Sequence, residues 1–113
     1  MALQSCKKNN EERIVGDWVR YCDSPFINCS SSVISNYKDD GTSFLYKNND
    51  CERDSIISGP HYYEIKNDTL IRTPGTTYSV DTFLIEELTR RKLILTRFIN
   101  GQLSSPNKFK KCR

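Results

Sequence analysis

The sequence predicts an all-β domain: about eight antiparallel strands closed into an up-and-down barrel. Turn signals recur roughly every 8 to 15 residues along the chain, as in sandwiches and barrels. Between them lie short segments rich in Val, Ile, Thr, Tyr and Phe, with no sustained helical period. At 113 residues there is room for one domain, and closing the sheet is how so short a chain removes its exposed edges.

The elements follow in order. The first strand is read over Arg13–Cys22, carrying Gly16 and Trp18. A polar stretch with Pro25 leads to a second strand over Ser32–Tyr37, and Asp39-Asp40-Gly41 is a tight hairpin signal. Thr42–Lys47 is the third strand, and Asn48–Pro60 reads as a long polar loop. His61–Lys66 and Thr69–Arg72 pair across Asn67-Asp68, and Pro74-Gly75 makes the next turn. Thr76–Leu88 is a long strand, bent near Asp81, followed by Lys92–Phe98. Asn100-Gly101 is a hairpin turn, and Leu103–Cys112 closes the chain, with Pro106 acceptable only at an edge or bulge. A short helix has room in the Asp23–Ser30 or Asn48–Ser58 segment.

Composition excludes several function classes. Seventeen basic residues against 14 acidic ones leave a net charge of +3, short of the clustered excess of a nucleic-acid binder. Aromatics at 11% are too many for a disordered chain, and no apolar run is long enough for a membrane helix. Residues 1–12 read as a tether and 13–113 as the domain. Leu3-Gln4-Ser5-Cys6 resembles a bacterial lipobox, which makes Cys6 a lipidation candidate and the membrane a partner through that lipid. Five cysteines then leave four for disulfides: Cys22, Cys29, Cys51 and Cys112, in any of three connectivities. Disulfides fit the cell envelope, as an outer-membrane lipoprotein, periplasmic or surface-exposed. No Cys-x-x-Cys pair occurs and His61 is the lone histidine, so neither a metal site nor a cofactor is expected. Glu86 and Glu87 are neighbours on one strand and point to opposite faces, so they form no acid/base pair. No nucleophile or phosphate-loop motif appears, and no enzymatic activity is expected.

Several patterns, in this order, resemble the lipocalin-like domain of small Bacteroidetes lipoproteins. They are Gly16-Asp17-Trp18, then Tyr37-Lys38-Asp39-Asp40-Gly41-Thr42, then Tyr63-Glu64-Ile65 with Asp68-Thr69-Leu70. Phe83-Leu84-Ile85-Glu86-Glu87-Leu88 and Lys92-Leu93-Ile94-Leu95 complete a likeness running from Ile14 to about Phe109. The resemblance implies a barrel fold far more than an activity, with larger relatives carrying apolar ligands inside. It also implies a Cys29–Cys51 disulfide, which by elimination pairs Cys22 with Cys112. Strand parity puts those last two at opposite ends of an eight-stranded meander, unless turns at both Pro74-Gly75 and Asp81 add a strand.

The same resemblance places Trp18 inside, with Ile14, Gly16 and Arg20. Alternation then turns Tyr63 with Ile65, Phe83 with Ile85, and Leu93 with Leu95 and Arg97 inward. Tyr37, Phe44, Tyr46 and Tyr78 are further lining candidates. The expected ligand-binding set is Trp18, Tyr37, Tyr46, Tyr63, Phe83 and Arg97, for a small apolar or amphipathic ligand in or at the mouth of the barrel. An inward arginine needs a partner such as Glu87 or a ligand carboxylate. The competing expectation is a barrel filled by its own side chains. Its long loops would then engage an envelope protein, as a hydrolase inhibitor or complex subunit. Lys7, Lys8, Arg90, Arg91, Lys92, Lys108, Lys110, Lys111 and Arg113 fall at the terminus-bearing end, which is expected to face anionic head groups.

Overall fold

The computed structural model describes residues 10–21, 32–74 and 80–112. Eight strands follow one another in sequence order and close into one antiparallel barrel. They are β1 Gly16–Tyr21, β2 Val33–Tyr37, β3 Thr42–Asn49, β4 Glu52–Lys66, β5 Thr69–Pro74, β6 Asp81–Leu88, β7 Lys92–Ile99 and β8 Gln102–Lys111. β1 closes the ring by pairing with both β2 and β8.

Turn chemistry sets the meander. Lys38 and Thr42 close the β2–β3 turn, and Asp40 Oδ1 accepts from both the amide and the hydroxyl of Thr42. Asn100 and Gly101 both take positive φ, 51° and 78°, which a two-residue turn with the twist of the flanking strands requires. Pro106 sits beside the β7–β8 register shift between Thr96 and Phe98, the bulge position expected for a strand proline.

The core fills the terminus-bearing half of the barrel. Trp18, Ile14, Leu70 and Leu93 are fully buried there, packed with Tyr37, Ile65, Phe83, Ile85, Leu88 and Leu95. Each such side chain contributes about 1.5–3 kcal/mol by leaving water. Residues 10–13 form one helical turn rather than tether or strand, so the first strand begins at Gly16 instead of Arg13. That turn delivers Ile14 under the barrel, where its carbonyl accepts a 2.8 Å hydrogen bond from Trp18 Nε1.

Asn48–Pro60 is strand and not a long loop. β3 and β4 form an extended hairpin with a tight turn at Asp50 and Cys51, both at positive φ (53° and 63°). Register shifts along β3 and β4 bend it. Gly59, at φ 136°, lies so close to Phe44 that an added Cβ would stand 2.6 Å from the ring. The hairpin tip lies over the outer face of the barrel. There Val19, Ile34 and Tyr46, side by side across β1, β2 and β3, form a second buried cluster with Cys51 and Cys112. Arg53 Nε reaches Asp17 at 3.3 Å, and the Cys112 amide donates to the Asp17 carbonyl.

This packing corrects the disulfide pairing. Cys51 bonds Cys112, with Cα atoms 5.4 Å apart, and so pairs with neither Cys29 nor any loop cysteine. The bent hairpin carries Cys51 back to the terminus-bearing end, where β8 finishes. Cys6, Cys22, Cys29 and Tyr78 lie outside the described residues, as do the whole 22–31 segment and the first part of the expected Thr76–Leu88 strand.

Candidate functional site

Alternation carries the interior from apolar to polar along β4, β5, β6 and β7. Two residues beyond Ile65 is Tyr63 and two beyond that His61; two beyond Leu70 is Arg72; two before Phe83 is Asp81; two beyond Leu95 is Arg97. The pairings agree: Leu70 faces Phe83, Arg72 faces Asp81, and Phe83 faces Arg97 across neighbouring strands. A polar layer from β4, β5, β6 and β7 thus sits at the end away from the termini, above Phe83.

Two guanidinium groups share one carboxylate in this layer. Arg97 Nη2 lies 2.7 Å from Asp81 Oδ1, and Arg72 Nη2 lies 3.2 Å from Asp81 Oδ2. Arg72 also stacks over the Phe83 ring at 5.4 Å. Its Nε is buried without a hydrogen-bond partner among the described residues, and so is His61 Nδ1. The other imidazole nitrogen, Nε2, contacts the Ser58 hydroxyl at 2.8 Å. Burial first, and then the Arg72 charge, push His61 below its ordinary pKa, against the opposing pull of Asp81. The layer holds two permanent cations, one carboxylate and a histidine biased toward its neutral form. Its balance favours an anion.

The six residues expected to bind ligand separate into three groups. Trp18, Tyr37, Tyr63 and Phe83 meet in the core, with the Tyr37 and Tyr63 rings edge-on at 5.1 Å. Trp18 lies at the closed end, and the Tyr63 hydroxyl donates to the Lys38 carbonyl there. Tyr46 corrects the expectation: it lies on the outer face beside Ile34, with Arg53 over its ring at 5.4 Å. Phe44 shares that outer face, packed near Tyr46. Arg97 reaches the polar layer, where its partner is Asp81; Glu87 pairs instead with Lys92 at 3.8 Å. His61, Arg72 and Asp81 were missed. Their signal was the same period of two that identified the core, extended one step outward.

Among the described residues no group of three or more His, Cys, Asp or Glu could hold a metal ion. Nor, among the described residues, is any helix long and apolar enough to cross a membrane. No protein-family model, curated protein or solved structure matches the chain.

Proposed function

We propose that the protein is a lipocalin-like, lipid-anchored envelope protein that binds a small amphipathic anion at the far mouth of its barrel. One observation carries the reading: Arg72 and Arg97 converge on the single carboxylate of Asp81, leaving one positive charge to offer. A carboxylate-type head would take its place on the exposed side of Arg97, half of whose side chain is open to solvent. The apolar part would lie along Val80, Phe98, Ile99 and Leu103, all exposed near the same end. It would not run deep, because Phe83, Leu95 and the residues below them already fill the barrel. Lipid on Cys6 would hold the protein at the membrane.

A second reading, an interaction module for an envelope protein, draws on those same exposed apolar residues. An NMR titration separates the two. Decanoate is expected to shift the amides of His61, Arg72, Asp81 and Arg97, while decyltrimethylammonium leaves them in place. Equal responses to both detergents, or none to either, would remove the anion-binding reading.

A further inference from the structure

The terminus-bearing end is split by charge, and we infer that one flank of it is a docking surface for an anionic bilayer. One side of this end is acidic: Glu11, Asp39, Asp40 and Glu64, against the single cation Lys66, line a groove of about 480 Å³ beside the β2–β3 turn that carries Lys38. The other side is basic. Arg13, Arg90 and Arg91 surround a second groove of about 450 Å³. From there the basic surface continues along the outer face of β7 and β8 through Lys92, Lys108 and Lys110.

Three features mark this flank as more than a solvated charge run. Lys92 and Lys110 stand directly opposite each other across the β7–β8 ladder, an arrangement of like charges that a sheet disfavours on its own. The turn that presents Arg90 and Arg91 is fixed: Thr89 Oγ1 accepts from the amides of Arg91 and Lys92, at 3.3 and 3.1 Å. The Lys111 amide also donates to the Arg91 carbonyl at 2.9 Å. Among the described residues no carboxylate pairs with Arg90, Arg91 or Lys110, the Lys92–Glu87 pair is a long one at 3.8 Å, and the Glu86 carboxylate accepts from Thr96. Lys111 is not part of the surface, because its Nζ turns inward over the Trp18 ring and donates to the Arg13 carbonyl.

Geometry selects a bilayer as the occupant, a step that rests on the anchored reading above. Cys6 precedes the helical turn by four residues, a span of at most ~14 Å. A lipid there would hold this end against the head groups. The acidic side would be repelled and the basic flank drawn down, so the barrel would lie tilted with its mouth directed away from the membrane. Each cation near such a surface strengthens binding about fivefold.

The test uses the full chain with Cys6→Ser, so that no lipid contributes and failure leaves the anchored reading standing. Cosedimentation is measured with phosphatidylcholine vesicles, with and without about 30% phosphatidylglycerol. Binding is expected only to the anionic vesicles and is expected to fade between about 0.05 and 0.5 M salt. R90E/R91E is expected to weaken it more than about tenfold. K38E/K66E, with the same change in net charge on the acidic side, is expected to bind at least as well as the parent. Equal loss in both variants, or binding indifferent to salt or to phosphatidylglycerol, would overturn the proposal. The salt dependence of the parent decides the matter if a variant does not fold.

Discussion

Trp18 ties the sealing turn to the barrel. It is wholly buried and its one polar atom is spent on the Ile14 carbonyl, so the ring joins β1 to the helical turn that closes the barrel. Trp18→Ala is expected to cost about 3–5 kcal/mol and to lower Tm by about 10 °C or more in a domain of this size. Thermal denaturation followed by far-UV circular dichroism measures the loss. Tyr63 supplies a pH test. Burial first, and then Tyr37 and nearby carboxylates, push its pKa up to about 12. Tyr37 is also pushed up, by burial, with Arg72 opposing. A raised pKa favours the neutral phenol in the folded chain. Its stabilising share is complete below the unfolded value of about 10 and is lost as pH climbs toward 12. Stability measured between pH 9 and about 12 should therefore fall more steeply for the parent than for Tyr63→Phe.

The β3–β4 hairpin is held in position by a covalent link. The Cys51–Cys112 bond closes a 61-residue separation and by chain entropy is worth about 4 kcal/mol. C51S/C112S is expected to lose about that much and to speed amide exchange from Asn48 to Asp54, while β5–β7 stay protected. Exchange mass spectrometry resolves the two regions. The hairpin is also the element hardest to see in the sequence. Asn48-Asn49-Asp50-Cys51-Glu52-Arg53-Asp54-Ser55 is polar on both faces, so no alternation marks it as strand. It is held by contacts remote in sequence: Arg53 on Asp17, Tyr46 on Ile34, and the disulfide. Asp39-Asp40-Gly41, Asn67-Asp68 and Asn100-Gly101 declared their turns openly, because left-handed backbone selects those residue types. The helical turn over residues 10–13 is too short to carry a period. Tyr46 and Arg97 show the same limit at the site. Periodicity tells which residues share a face, but the facing of Tyr46 and the partner of Arg97 depend on neighbouring strands.

At the scale of the whole molecule, the barrel has a packed apolar half sealed by Trp18 and a polar layer built on Asp81 at the other end. On the proposed function this layer offers net positive charge to an amphipathic anion. Asp81 is then the internal competitor for both guanidinium groups, at 2.7 and 3.2 Å. The most direct measurement is calorimetric titration of decanoate into the parent, Arg97→Ala and Asp81→Asn, each checked for folding by its NMR spectrum. Removing the guanidinium should weaken binding about tenfold, as loss of a charge-assisted hydrogen bond does. Neutralising the carboxylate should tighten it, because both arginines are then free for the ligand. Decanoate affinity that is unchanged in both variants, or that falls when Asp81 is neutralised in a folded protein, would rule out anion binding at this layer.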